Sequence, residues 1–134
     1  MNLRIIIPAV SVGIISVIII LAASPDENAQ LSETFHIQGI YIESESRVEI
    51  HFTDNSQNTE SVVLEILGLN DSFQKTLQTN EFIESVAFAE PPIHGWAVHP
   101  ITLVIKHNDY GIIQAKTEIR PQGEPAPPVI FGRS

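Results

Sequence analysis

Five histidines are the residues of this 134-residue chain best suited to chemistry, because the chain contains no cysteine. Without thiolates, a metal site has to use imidazole and carboxylate ligands, which suits copper or zinc. His94 and His99 share one short loop and are the candidates for such a site. No two histidines stand at the i, i+2 spacing that places ligands on one face of a strand. We therefore expect surface histidines, one loop histidine packed by Trp96, and no bound metal or other cofactor.

Motifs of enzymes are missing from the sequence. There is no G-x-S-x-G elbow for a nucleophilic serine, no H-E-x-x-H zinc motif and no glycine-rich phosphate loop. No carboxylate pair stands out as a general acid and base. The sequence predicts a protein that is not an enzyme.

The net charge of the chain excludes some classes of binding partner. Beyond residue 24 the chain has six basic and all sixteen acidic residues, a formal net charge of −10. A nucleic-acid-binding surface needs the opposite sign, and anionic lipid headgroups would be repelled as well. We expect no nucleic-acid partner. The acidic surface keeps an exported domain soluble, and it also suits a basic partner or a cation.

Three further features are candidates for interactions. Trp96, the only tryptophan, lies in a proline-bounded connector, where it either caps the core or anchors a ligand. Asn70 begins the glycosylation sequon Asn-Asp-Ser in a predicted turn. The proline-rich tail carries Val129, Ile130 and Phe131, and we expect it to be disordered unless these side chains dock on their own sheet or on a partner.

An apolar run without charge, Ile5 to Ala23, follows Arg4 near the start of the chain. Its 19 residues span roughly 29 Å as a helix, close to the thickness of the hydrocarbon core of a bilayer. A cleaved signal peptide is the main alternative, and a buried soluble helix is a further one. Because Leu21 occupies the −3 position of the best cleavage site, we favour an uncleaved transmembrane anchor. The flanking charges place the amino terminus in the cytoplasm and residues from about 25 onward outside.

Alternation of apolar and polar residues predicts about seven strands after the anchor. Gly39 interrupts the first strand and predicts a bulge. A short helix over residues 80–86 is an alternative to the fifth strand, and Asn108 to Gly111 predicts a hairpin turn. The predicted strands are Thr34–Glu43, Arg47–Thr53, Glu60–Leu69, Phe73–Gln78, Glu81–Ala89, Ile101–Lys106 and Ile113–Ile119. The predicted core between two sheets is Val48, Ile50, Phe52, Leu64, Ile66, Leu103 and Ile105.

The stretch Pro100 to Arg120, PITLVIKHNDYGIIQAKTEIR, resembles the closing hairpin of immunoglobulin-like and fibronectin type III-like domains of cell-surface proteins. The resemblance implies an all-β, antiparallel two-sheet sandwich. Three family features are missing, namely the cysteine pair, a tryptophan on the third strand and a tyrosine corner. We divide the chain into an anchor or signal peptide (1–24), a spacer (25–32), a sandwich (33–121) and a proline-rich tail (122–134).

These observations predict a non-catalytic interaction or structural module of the cell envelope, bound to the membrane through residues 5–23. Its partner would be a protein outside the cytoplasm. Two alternatives remain open: an accessory single-span subunit of a larger membrane complex, and an exported protein that binds copper or zinc through histidines. If the first segment is cleaved, the protein is secreted.

Overall fold

The structure, a computed structural model, describes residues 21–133. In this range the chain forms ten strand segments, an α-helix and two short 3-10 helices. The helix α1 spans Pro25–Thr34, and the 3-10 helices span Glu43–Glu45 and Trp96–Val98. The strands are β1 (Leu21–Ala22), β2 (Phe35–Ile42), β3 (Arg47–Asp54), β4 (Thr59–Ile66), β5 (Phe73–Leu77), β6 (Glu81–Ala87), β7 (Ile101–His107), β8 (Gly111–Thr117), β9 (Ile119–Pro121) and β10 (Ile130–Arg133).

These strands form a two-sheet β-sandwich, as the alternation predicted. One sheet has six strands in the order β1-β10-β8-β7-β4-β5, and the other has four in the order β6-β3-β2-β9. Every pairing is antiparallel except that of β2 with β9. The predicted strand Phe73–Gln78 is β5, which lies at one edge of the larger sheet. The stretch for which a helix was the alternative is the strand β6.

The core lies between the two sheets and consists of the inward phase of each alternating strand. Strands β3, β4 and β7 read as apolar at every second residue, so each offers one continuous apolar face. The prediction for the core is confirmed, because all seven residues named for it are at most 1% exposed: Val48, Ile50, Phe52, Leu64, Ile66, Leu103 and Ile105.

The predicted bulge at Gly39 is wrong. Strand β2 pairs with β3 in unbroken register from Phe35 opposite Asp54 to Ile42 opposite Arg47. Gly39 continues the inward phase, and a Cβ atom at this position would lie 2.3 Å from Cδ1 of Ile101 in the other sheet. The glycine therefore serves close packing of the two sheets.

The predicted polar spacer is the helix α1. Ser24 caps it by accepting a hydrogen bond at 3.2 Å from the Glu27 amide, and Pro25 occupies the first turn. Asp26 and Glu27 place negative charge where the helix dipole favours it. Only Leu31 of this helix is buried, so the segment shows no apolar periodicity. The residues that indicate a helix here are instead those of its amino-terminal cap.

The carboxyl-terminal tail is ordered, and its interpretation as a disordered segment is wrong. Strand β10 pairs with β8, so that Phe131 lies opposite Ala115. The Phe131 side chain is fully buried, with its ring centroid 6.2 Å from that of Phe35. The apolar triplet thus docks on its own domain through the buried Phe131 and the half-buried Val129, whereas Ile130 is exposed.

The last predicted strand is divided between the two sheets. Ile113, Ala115 and Thr117 belong to β8 in the larger sheet, whereas Ile119 belongs to β9 in the smaller one. All four side chains are at most 4% exposed. The alternation therefore predicted the buried face correctly but could not show that the chain crosses from one sheet to the other.

Most of the apolar run Ile5 to Ala23 lies outside the described residues, and with it the predicted membrane helix. Within residues 21–133, no helix is long and apolar enough to cross a bilayer. The last three residues of the run belong to the domain. Leu21 and Ala22 form β1 against β10, and the Ala23 amide donates a hydrogen bond at 3.0 Å to the Phe131 carbonyl.

The core assignment predicts the effect of cavities. Replacing Ile50 or Leu103 with alanine should lower the free energy of unfolding by about 2–5 kcal/mol, because each side chain is fully buried. Ile83→Ala is the matched control, since Ile83 is 60% exposed and should cost less than about 1 kcal/mol. Urea denaturation measures all three, and equal midpoints for the core and control variants would contradict the register.

The ordered tail gives a second pair of variants in adjacent residues. Phe131→Ala should destabilise the domain by about 3–5 kcal/mol, since a large fully buried ring is lost. Ile130→Ala should change stability little, because Ile130 is 52% exposed on the other face of β10. Thermal unfolding compares them, and a Phe131→Ala midpoint equal to that of Ile130→Ala would mean that β10 does not dock in solution.

Candidate functional site

The two ends of the sandwich differ in chemistry. At one end, which we call the hairpin end, lie the loops 54–58 and 107–111. At the other end, the tryptophan end, lie the 3-10 helix Glu43–Glu45, the connector 88–100 and residues 121–122. The first is closed by a polar cluster around the buried side chains of Asp54 and His107, and the second carries an open cleft.

The polar cluster at the hairpin end consists of Asp54, Ser56, Thr59 and His107. Asp54 ends β3 in the smaller sheet and His107 ends β7 in the larger one. Nε2 of His107 lies 3.2 Å from Oδ2 of Asp54, and both side chains are fully buried. This contact joins the two sheets.

The Asp54 carboxylate accepts hydrogen bonds at both oxygens. Oδ1 receives the amide and the hydroxyl of Ser56 at 2.8 and 2.6 Å. Oδ2 receives the Asn58 amide at 3.0 Å and the Thr59 hydroxyl at 2.6 Å. Burial by itself raises the pKa of Asp54, but these four donors outweigh it and hold the pKa below its ordinary value. Asp54 is therefore ionised in the folded protein at neutral pH.

The His107 ring is fixed by its other nitrogen. Nδ1 accepts hydrogen bonds from the amides of Asp109 and Tyr110 at 3.1 and 3.2 Å, so it bears no proton. The ring proton must then be on Nε2, which lies 2.9 Å from Oγ of Ser56. The cluster thus holds one tautomer of histidine at the hairpin turn.

The residue types of this cluster are those of a serine hydrolase active site, but the hydrogen bonds between them differ. In a hydrolase the carboxylate binds Nδ1, and Nε2 is free to take the serine proton. Here Nε2 already carries the proton, and the Ser56 hydroxyl donates to Asp54. The arrangement cannot activate Ser56, so the cluster has the geometry of a structural element.

His107 is therefore not the surface histidine that we expected. The signal that identifies it is its phase, because it continues the inward series of Ile101, Leu103 and Ile105. A buried histidine also needs partners, and the turn residues Asp54 to Asn58 offer them. In the strand pattern, that segment is only the connection between the predicted strands Arg47–Thr53 and Glu60–Leu69.

Trp96 lies at the centre of the tryptophan end. Its 3-10 helix follows Gly95, whose φ of +89° reverses the connector. The indole ring contacts two others, with centroid distances of 5.0 Å to Tyr41 and 5.4 Å to Phe88. Trp96 is half-buried and packs against the core, which is the cap arrangement, but part of its surface faces a cleft.

This cleft has a volume of about 390 Å³, within the range of roughly 300–1,000 Å³ typical of small-molecule sites. It is lined by Tyr41, Glu43, Ser44, Pro91, Trp96, Pro121 and Gln122. The 3-10 helix after β2 positions Glu43 and Ser44. The backbone N–H of Gln122 donates a 3.0 Å hydrogen bond to the Tyr41 carbonyl, which leaves the Gln122 side chain free. We call this site the Trp96 cleft.

Three polar side chains of the Trp96 cleft are available to a ligand. Glu43, Ser44 and Gln122 are exposed. Within residues 21–133, none of their side chains forms a hydrogen bond or an ion pair with another residue. An acceptor-only carboxylate, a hydroxyl and an amide thus stand around two aromatic rings.

The other residues singled out in the sequence do not assemble into a site. His94 is exposed, while Nδ1 of His99 lies 3.0 Å from the Leu67 carbonyl and its ring packs on Phe88. Nowhere in the described part of the chain do three histidine, aspartate or glutamate side chains converge on one point. Asn70 is exposed in the turn between β4 and β5.

Strand pairing brings His36 and His51 together, which the sequence did not reveal. Gln38 lies opposite His51 and His36 opposite Thr53, so both histidines stand on the outer face of the smaller sheet. They line one cavity of about 330 Å³. Nε2 of His51 is 3.1 Å from Glu49, and this hydrogen bond, together with one from Arg47, lowers the pKa of Glu49.

No protein-family model matches the chain, and no curated protein matches it either. The fold therefore defines its class only as a mostly β two-sheet sandwich, and the function has to be argued from the sites.

The buried Asp54 carboxylate predicts a loss of folding stability in acid. Because the folded pKa of Asp54 is below its unfolded value of about 4, its contribution is complete above that pH and is lost as the pH falls through the folded pKa. Asp54→Asn should cost about 3 kcal/mol or more at pH 7 and should flatten the acid branch.

Urea denaturation between pH 7 and pH 2 measures this effect. Asp71→Asn, the same change at an exposed loop position, is the control and should retain the slope of the unchanged protein. An Asp54→Asn protein with unchanged stability at pH 7 would show that the cluster does not hold the sheets together.

Proposed function

We propose that this protein is a membrane-anchored, extracytoplasmic interaction module that binds a ligand through the Trp96 cleft without chemical conversion. The observation that carries the proposal is the position of this cleft. It lies at the end of the sandwich opposite to the one from which the chain enters β1.

The direction of the chain follows from the register. Leu21 lies opposite Arg133 and Arg133 opposite Ile113, two residues from the start of β8 at the hairpin end. Strand β1 therefore runs from the hairpin end toward the tryptophan end. Strand β7 has seven residues, so roughly 23 Å separate the two ends. If residues before Leu21 anchor the protein, the hairpin end faces the membrane and the Trp96 cleft faces away from it.

The order of the strands in the two sheets supports a role as an interaction module. Among β2–β8, the first, second and fifth strands share one sheet, and the other four form β5-β4-β7-β8 in the second sheet. Immunoglobulin-like and fibronectin type III-like domains, common frameworks of cell-surface proteins, are likewise antiparallel two-sheet sandwiches of about seven strands. We propose that the sandwich belongs to this class, extended by β1, β9 and β10. Since a fold does not define a function, the site carries the rest of the argument.

The chemistry of the cleft favours binding over catalysis. Its polar lining has one carboxylate and no histidine, lysine or second carboxylate, so a nucleophile there has no adjacent base. The serine, histidine and aspartate of the polar cluster satisfy one another at the far end. The half-buried Trp96 ring and the exposed polar groups of the lining have the composition of a recognition site.

Single-cysteine variants test the arrangement, because the chain has no cysteine of its own. In a bacterial host, the full chain should stay in the membrane after an alkaline wash. Gln122→Cys in the cleft should react with a membrane-impermeant maleimide on intact spheroplasts, whereas Asn2→Cys should react only after lysis. The reverse pattern, or a soluble chain that begins at Ser24, would overturn the proposal.

A further pair of variants tests the anchor, with one variant changed in the apolar run and the other as its control. Ile14→Arg together with Ile18→Arg places two charges in the apolar run and should release the protein from the membrane fraction. Ile83→Arg adds a charge at an exposed position of β6 and should leave the protein in the membrane. Equal fractionation of these variants would show that the run does not hold the protein there.

A further inference from the structure

We infer that the ligand of the Trp96 cleft is a neutral oligosaccharide. This inference rests on the proposed function and specifies the chemical class of its ligand. It follows from the aromatic surface of the cleft, from its free hydrogen-bonding groups and from its charge.

The aromatic surface suits the faces of sugar rings. A pyranose ring presents a face of C–H groups, which are apolar and slightly electropositive, whereas the face of an indole carries negative charge density. The half-buried Trp96 lines the cleft, and its ring lies 5.0 Å from that of the buried Tyr41, measured between centroids. Pro91 and Pro121 add two aliphatic rings to the wall. The surface is therefore preformed, and no core residue has to move to expose it.

The polar groups suit hydroxyls. A sugar hydroxyl both donates and accepts, so it can donate to the Glu43 carboxylate and accept from the Ser44 hydroxyl or the Gln122 amide. These three side chains have no hydrogen-bonding partner elsewhere in residues 21–133, so they lose no internal hydrogen bond when a ligand binds. Three such groups in one cleft can bind several hydroxyls of one ligand.

A proline-rich peptide is the competing ligand, since such peptides also pack on aromatic rings. Proline has no N–H, so this peptide has few donors to offer the Glu43 carboxylate, which only accepts. The carboxylate would lose its water on binding without a replacement. The hydroxyls of a sugar provide that replacement, so the geometry favours the saccharide.

The charge of the site excludes acidic sugars. Glu43 is the one charged residue of the lining, and the chain beyond residue 24 carries a formal charge of −10. A carboxylated or sulfated saccharide would be repelled on approach and within the cleft. The ligand class is therefore neutral hexose or N-acetylhexosamine polymers.

Trp96 is also the natural probe for the test, because it is the only tryptophan. The full chain is produced in a bacterial host, so that Asn70 remains unmodified, and is purified in a detergent without a sugar headgroup. It is titrated with β-1,4-linked tetrasaccharides of glucose and of N-acetylglucosamine, with the α-1,4-linked tetrasaccharide of glucose, and with an acidic hyaluronan fragment. Tryptophan emission and calorimetry follow binding. We expect a saturable response to at least one neutral sugar and none to the acidic fragment.

Two variants in the cleft and two controls locate the site. Glu43→Gln and Gln122→Ala change exposed side chains that support no packing, and each should weaken binding about 5- to 10-fold, the value of one hydrogen bond. Glu81→Gln and Gln78→Ala make the same changes at exposed positions near the hairpin end and should bind like the unchanged protein. Trp96→Phe, followed by calorimetry, should weaken binding further, and circular dichroism confirms that each variant is folded.

The outcomes separate this inference from the proposed function. No response to any neutral sugar, or binding that is unchanged in the cleft variants, would overturn the inference. A proline-rich peptide that binds in place of the sugars and is lost in the Trp96→Phe variant would also overturn it, while the interaction module stands. The labelling and fractionation experiments decide the module itself.

Discussion

The rest of the sandwich depends on the buried contact between Asp54 and His107. An ionised carboxylate without water is stable only if donors surround it. Three donors from the turn after β3 and the Thr59 hydroxyl at the start of β4 do so. The same requirement brings the loops of both sheets together. Asn80 joins from a third loop, since its carbonyl accepts from the Asp54 amide and its side chain from the Thr59 amide. Phe35, just after α1, packs edge-on against the His107 ring at 5.3 Å. The cluster thus sets the relative position of the two sheets, three loops and one helix.

This constraint makes the two ends unequal. At the hairpin end, the side chains of Asp54, Ser56 and His107 bind one another and the neighbouring backbone amides. At the tryptophan end, the chain closes the core with aromatic rings and leaves Glu43, Ser44 and Gln122 facing the solvent. The polar cluster and the Trp96 cleft are therefore about one strand length apart. Strand β1 runs between these two ends, because Leu21 lies opposite Arg133 and Ala22 opposite Gly132.

The parts of the fold that were predicted correctly are those with strong alternation. Val48, Ile50 and Phe52 define one face without ambiguity, because residues two apart in a strand share a side. The parts that were missed have little or no periodicity of their own. Helix α1 buries only Leu31, and β10 buries the single large side chain Phe131. Gly39 was misread because glycine in a strand accompanies both bulges and close packing, and only the position of Ile101 in the other sheet distinguishes them.

The sequence by itself determined the strand faces, the apolar core, the acidic surface and the apolar run before the domain, because these depend on residue type and local spacing. It also singled out Trp96. Only the tertiary structure decided which residues from distant segments meet. Ser56 and His107 are 51 positions apart, and Tyr41, Trp96 and Gln122 come from three separate segments of the chain. Such groupings depend on strand register and on where the chain changes sheets. A one-residue shift in either would turn these side chains to the opposite face, and no local pattern records that choice.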